Sequence, residues 1–240
     1  MQNLGICMVL NNNYYQTRYC IENLLAKTNV TLSLYILDNG SNEEKLKKYL
    51  KETCAKKKWV LKTVKKPITL SKAYNLIINL VSENHCCLFP INILVNKGWA
   101  EVLLNEYKSC EKSGIVGIKN GCEKVSLGPI LCKCETSEDY LKYVWFTKYN
   151  TIEGLVMFER QKLNKTGGYD ESLNALGYEA LEFCFRFSGN GYQNYYLPKQ
   201  SCVKVDIVNE TLFPEKTKEG AVWFMKEVEG MVKSKQFKKN

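Results

Sequence analysis

From Leu4 to Leu10 every residue but Gly5 is apolar, the pattern of a short strand covered on both faces. Asn11, Asn12 and Asn13 close it as a loop, and apolar groups then recur at helical spacing from Tyr19 to Leu25. The alternation repeats. Thr31 to Leu37 reads as a second strand that runs into Asp38-Asn39-Gly40-Ser41. Ser41 is the expected N-cap of a helix reaching Cys54, with Glu43 and Glu44 in its first turn. Trp59 to Val64 is a third strand, Leu70 to Val81 an amphipathic helix bearing Lys72 and Asn75, and Cys86 to Val95 a fourth strand interrupted by Pro90 and Asn92. A helix over Trp99 to Tyr107 and a strand over Ser113 to Ile118 follow.

Residues 119–150 show no clear period; they are rich in cysteine and turn at Gly121 and Gly128-Pro129. Beyond them the pattern predicts strands over Thr151 to Phe158, Tyr192 to Leu197 and Ser201 to Val208, and helices over Tyr178 to Phe187 and Thr217 to Lys233. Strands that alternate with helices of this length make βαβ units, so the expected fold class is α/β with a Rossmann-like, mostly parallel central sheet flanked by helices. Ligands of such sheets sit beyond the carboxyl ends of the strands. Here those ends are Asn11–Asn13, Asp38–Ser41 and Pro90–Asn92. No Gly-x-Gly-x-x-Gly or Walker pattern follows any strand, which argues against a dinucleotide fold and a P-loop. No repeat or linker divides the chain.

The stretch 167–192 combines a turn with a helix. Gly167-Gly168 supplies backbone freedom, Asp170 and Ser172 can bond local amides, and Gly189 and Gly191 end the helix. Glu179 and Glu182 lie three residues apart and share a face. Two carboxylates at a Gly-flanked turn suit a general base. The competing interpretation is a surface helix carrying a Glu182–Arg186 ion pair.

Composition narrows the ligand. Lysine and arginine number 34 against 25 acids, a formal charge of +9 in 240 residues. Such an excess attracts nucleotides, nucleic acid or an acidic membrane surface, or simply solubilises the protein. Eleven cysteines without a leader pattern fit reduced thiols and a cytoplasmic location. Cys132-x-Cys134 has neither Cys-x-x-Cys spacing nor an answering pair, and His85 is the one histidine, so zinc is not expected. No apolar run approaches membrane-spanning length.

The order of these segments resembles a GT-A nucleotide-sugar glycosyltransferase, closest to the inverting family-2 enzymes. Val9 to Leu25, with Asn12, is similar to that family's first strand and helix. Leu37-Asp38-Asn39-Gly40-Ser41 resembles its Asp-(Asp/Asn)-Gly-Ser turn. Leu88 to Trp99 resembles the strand with the Asp-x-Asp motif and its Gly-Trp exit. Gly167-Gly168-Tyr169-Asp170-Glu171 and Glu179 to Arg186 are similar to its Gly-Gly-Phe-Asp-Glu turn and Glu-Asp helix.

The resemblance implies one domain over 1–240, with a donor half (1–118), an acceptor and catalytic half (119–205) and a C-terminal helix with a basic tail (206–240). It implies transfer of a sugar, with inversion, from a nucleotide-diphosphate sugar (a UDP-sugar first) to a glycan, protein, lipid or modified nucleic acid. Asp38 and Asn39 would hold the nucleotide, Asn12 and Asn92 would line the donor pocket with Asn75, and Glu179, Glu182 or Asp170 would deprotonate the acceptor. Two positions depart from the family. Pro90-Ile91-Asn92 stands at Asp-x-Asp, which leaves Asn92 as the one oxygen there for Mn²⁺ or Mg²⁺, and Glu179-Ala180 stands at Glu-Asp. Lys72 is then the cation expected at the diphosphate. A catalytically silent nucleotide- or glycan-binding relative is the alternative implied by Pro90 and Ala180. A transferase acting on modified DNA, suggested by the charge and 15 tyrosines, is the third.

Overall fold

The computed structural model describes residues 3–118, 154–172, 178–197 and 202–204. Among these residues nine strands run in chain order: Asn3–Leu10 (β1), Thr31–Asn39 (β2), Val60–Val64 (β3), His85–Leu88 (β4), Ile93–Val95 (β5), Ser113–Ile118 (β6), Leu155–Glu159 (β7), Gln193–Leu197 (β8) and Cys202–Lys204 (β9). The helices are Tyr14–Lys27 (α1), Glu44–Lys57 (α2), Leu70–Ile78 (α3), Trp99–Ser109 (α4), Arg160–Thr166 (α5) and Tyr178–Gly189 (α6). Seven strands form one sheet in the order β3-β2-β1-β4-β7-β6-β8. Its first four strands are mutually parallel, β7 is antiparallel to both of its neighbours, and β6 pairs parallel with β8. The expected mixed α/β sheet, mostly parallel and flanked by helices, is the fold observed.

Both faces of the sheet are covered, which is why β1 and β4 read as unbroken apolar runs. On β1 the side chains alternate. Leu4, Ile6, Met8 and Leu10 pack with Ile21 and Leu24 of α1, Leu46 and Leu50 of α2, and Trp99 and Leu103 of α4. Cys7 faces the other way, into a cluster with Tyr35 and Leu37 of β2, Ala73 and Ile77 of α3, and Phe183 and Phe187 of α6.

The expected strand Cys86 to Val95 is two strands. It leaves the main sheet at Leu88, turns through Pro90, whose carbonyl accepts from Ile93 N–H at 3.3 Å, and resumes at Ile93–Val95, antiparallel to Cys202–Lys204. Proline has no N–H for a ladder, so the run breaks there. Helix α1 begins five residues before the expected Tyr19. Asn13, at φ 66°, accepts from Gln16 N–H through its side chain and caps it. Ser41 is not the cap of α2: the helix starts at Glu44, and the Ser41 hydroxyl is turned back to accept Asn12 N–H at 2.7 Å. Helix α3 stops at Ile78 rather than Val81, and α5 has no counterpart in the apolar pattern. The cysteine-rich stretch 119–150 and the expected helix over Thr217 to Lys233 lie outside the described residues, and the strand expected from Thr151 is described only from Leu155.

Among the described residues no helix is long and apolar enough to cross a membrane. Trp99 shows how tightly the first core is keyed. Its ring is 1% exposed, meets Phe89 edge-on with centroids 5.5 Å apart, and donates Nε1–H to Thr28 Oγ1 at 2.8 Å. Trp99→Ala is expected to cost about 3–5 kcal/mol in urea unfolding. Trp99→Phe, which keeps most of the packing and loses the indole bond, should cost about 1–2 kcal/mol.

Candidate functional site

The carboxyl ends of β2, β1 and β4 lie side by side, because Leu10 pairs with Asp38 and Cys7 with Leu88. Asn12 sits just beyond β1 with φ 57°. Its Oδ1 accepts from the N–H groups of Asn42 (2.9 Å) and Glu43 (3.1 Å), while its own N–H reaches Ser41. Its side chain therefore staples the loop after β1 to the loop after β2. Asp38 is 2% exposed and accepts Ser41 N–H at 3.0 Å, the short-range turn its sequence predicts. Asn39 pairs with a single residue across the edge: Nδ2 donates to Ile68 C=O (3.0 Å) and Oδ1 accepts Ile68 N–H (2.9 Å). That pair anchors the entrance to α3, whose first turn is capped by Thr69 and carries the exposed Lys72.

Asn75, one turn along α3 from Lys72, repeats the device. It accepts Tyr169 N–H at 2.7 Å, donates to Tyr169 C=O at 2.8 Å, and reaches Glu171 Oε1 at 3.0 Å. The Gly-Gly turn is gripped from the opposite side by Arg186 of α6, which donates to Thr166 C=O at 2.6 Å and to Gly168 C=O. Close approach explains both glycines. A Cβ on Gly168 would lie 2.5 Å from Asn75 Oδ1, and one on Gly167, at φ 87°, would lie 2.9 Å from Arg186 Nη1.

Arg186 also holds both oxygens of Glu182, with Nη2 to Oε2 at 2.8 Å. Burial pushes the Glu182 carboxyl above the usual range and the nearby charge of Asp170 adds to that, while Arg186 pulls it back. Glu182 thus closes a structural ion pair that also fixes the turn. Asp170 is half-buried, and its Oδ1 accepts the N–H and hydroxyl of Ser172 at 2.8 and 2.6 Å. Glu179 is buried, beside Tyr74 and Tyr169. Burial drives both phenols upward, and the Glu179 charge contributes to each. Tyr169 stacks on Phe183 of α6 at 4.2 Å and 13°, which joins the turn to the helix that carries Glu179.

The structure brings Asn12, Asp38 and Asn39 together at one edge. It joins Asn75, Asp170, Glu179 and Glu182 around the Gly-Gly turn, with α3 running between the two groups. Asn92 lies half-buried in the turn between β4 and β5. The donor set there does not fit a divalent cation. Pro90 has no side-chain ligand atom and its carbonyl is taken by Ile93 N–H, Ile91 is a buried hydrocarbon, and the Asn92 side chain offers one neutral oxygen. His85 stands at the other end of β4, edge-on to Tyr107. Among the described residues no three metal-ligating groups gather. Sequence reasoning missed the grip of Arg186 on the turn; the adjacent glycines were the available signal, since two small residues together mark a place where side chains approach backbone.

This is a GT-A-like glycosyltransferase fold. Among solved structures it is similar to a mannosyltransferase, PcManGT from Pyrobaculum calidifontis in complex with GDP-Man and Mn²⁺, at 13% identity and a TM-score of 0.64 over 98% of this chain. It is similar also to S. aureus TarS 1-349, at 13% identity and a TM-score of 0.60 over 85% of this chain. The chain spans 65% and 60% of the lengths of those two. At that identity the likeness is one of fold alone. No protein-family profile and no curated protein matches the sequence.

Because a methyl on Gly168 meets Asn75 Oδ1, Gly168→Ala should cost roughly 1–3 kcal/mol in chemical unfolding. Combined with Asn75→Ala the loss should be clearly less than additive, because the second substitution removes the atom that clashes. Strict additivity would show that the alanine methyl is not meeting Asn75.

Proposed function

We propose that this protein is a glycosyltransferase that moves a sugar from a nucleotide-diphosphate sugar to an acceptor hydroxyl with inversion, a UDP-sugar being the first donor to test. The observation that carries this reading is the pairing of two features across α3. Polar strand ends around buried Asp38 lie on one side, and the acid-bearing turn and helix α6 lie on the other. In this reading Asp38 and Asn39 bind the nucleotide, with Asn12 shaping the loop and Asn92 lining the donor pocket.

Of the three candidate bases, Glu179, Glu182 and Asp170, the first to test is Glu179, buried on α6 beside Tyr74 and Tyr169. Glu179 takes the acceptor proton while the acceptor oxygen bonds to the anomeric carbon. The bond from that carbon to the diphosphate oxygen breaks, and the nucleoside diphosphate leaves with the electron pair. Since the turn at Pro90–Asn92 does not suit a cation, the leaving charge falls to Lys72, exposed on the first turn of α3. The competing reading, a silent nucleotide- or glycan-binding protein, is favoured by Pro90, Ala180 and the engagement of Glu182.

A thermal-shift series with UDP, GDP, UDP-glucose and GDP-mannose in EDTA separates these. The transferase reading expects at least one nucleotide to raise the melting temperature without added metal, and expects Asp38→Ala to abolish that shift. Glu179→Gln should keep the shift and lower turnover by about 10²–10⁴-fold. A shift with no turnover of any donor, by hydrolysis or transfer, would establish the silent relative. A shift that needs Mn²⁺ would remove Lys72 from its assigned role.

A further inference from the structure

Helix α3 is tied at both ends of the candidate site by the same device. At its entrance Asn39 pairs through its carboxamide with both the N–H and C=O of Ile68, at 2.9 and 3.0 Å. Within the helix Asn75 pairs in the same way with both backbone groups of Tyr169, at 2.7 and 2.8 Å. A carboxamide presents one donor and one acceptor in a plane, so each pair reproduces the two-bond ring that joins neighbouring strands and fixes direction as well as distance. On either side of Asn75 the helix is seated on the sheet by Ala73, Ile77 and Ile78. The Tyr169 peptide unit is held by Asn75, the Gly168 carbonyl by Arg186, and the Tyr169 ring by Phe183. These three contacts tie the turn to α3 and to α6.

From this we infer that α3 is a rigid strut setting the distance between the donor edge and the acid-bearing turn, and that Asn75 and Arg186 are positioning residues rather than donor ligands. Both polar atoms of the Asn75 carboxamide are spent within the protein, so its effect on a reaction runs through where it puts Asp170 and, by way of Tyr169 and Phe183, Glu179. The catalytic half of this inference rests on the transferase reading; the strut itself does not. Reactions that depend on prior alignment lose rate steeply for small displacements, on the order of 10²-fold for about 1 Å.

The test uses the full chain with three substitutions. Asn75→Leu has similar bulk and makes neither bond. Asn75→Asp still accepts Tyr169 N–H and loses the donation. Arg186→Lys keeps charge and loses the fork. The probe is hydrolysis of whichever of UDP-glucose or GDP-mannose the wild type turns over, read together with amide hydrogen exchange at Ile68 and Tyr169. The expected result is a kcat lower by at least about tenfold in Asn75→Leu and Arg186→Lys, with donor KM changed by less than about twofold. Asn75→Asp should be intermediate, and Tyr169 exchange should be faster in Asn75→Leu while Ile68 stays protected. A rise in KM with unchanged kcat would make Asn75 a donor ligand and overturn the assignment. Unchanged Tyr169 exchange in Asn75→Leu would overturn the strut. A wild type that turns over neither donor would remove the transferase reading and the catalytic half with it, leaving exchange to decide the strut alone.

Discussion

Each loop that leaves the carboxyl edge of this sheet carries peptide N–H and C=O groups that no strand can pair, and buried backbone groups left unpaired are costly. Asparagine side chains answer that demand repeatedly. Asn12 takes the amides of Asn42 and Glu43, Asn11 donates to the Asn39 carbonyl at 2.6 Å, Asn39 pairs with Ile68, and Asn75 pairs with Tyr169. A carboxamide suits the task because it donates and accepts at once and carries no charge to desolvate. The loops around the candidate site are therefore held by side chains, and their shape follows from a few residues instead of a continuous ladder.

Charge plays a different part. Glu182 and Arg186 are both largely withdrawn from water, and a buried pair of this kind contributes little net stability against its desolvation cost. What it adds is specification. The guanidinium fork, fixed by the two carboxylate oxygens, has its remaining N–H groups aimed at the carbonyls of Thr166 and Gly168. The pair and the turn are one unit, and Glu182 is as much a part of that unit as the glycines. Glu179, on the same helix, has the buried phenols of Tyr74 and Tyr169 near it instead, so the two acids of α6 have different neighbours.

The paired hydrogen bonds of Asn75 also explain why a nine-residue helix can serve as a ruler. Short helices are marginal by themselves, and α3 has its apolar face packed on β1 and β2, its Asn75 bonded to Tyr169, and the backbone just before its cap, at Ile68, bonded to Asn39. Losing either kind of contact would leave the other to hold it.

Much of this was legible beforehand. The nearly solid apolar run at Leu4–Leu10, joined by Leu34–Leu37 at the end of the second strand, determined buried strands, because a sheet covered on both faces uses such runs. The spacing of polar ends then located the edge where Asp38 lies, and the four-residue interval determined that Glu182 and Arg186 could meet. Pro90 stood in plain view as a break, yet whether the chain resumed in the same sheet depended on a partner more than a hundred residues away, and pairing with Cys202–Lys204 was settled only by tertiary structure. Local rules assigned Ser41 to cap α2; the nearby Asn12 backbone competed for its hydroxyl and won. The resemblance puts Asn75 at the donor pocket, while in the fold its carboxamide bonds both backbone groups of Tyr169, distant in sequence. Periodicity reports which groups are buried and roughly where they turn, since those follow from neighbours a few residues apart. Which polar side chain satisfies which distant backbone group is set by chain crossings, and only the folded arrangement decides it.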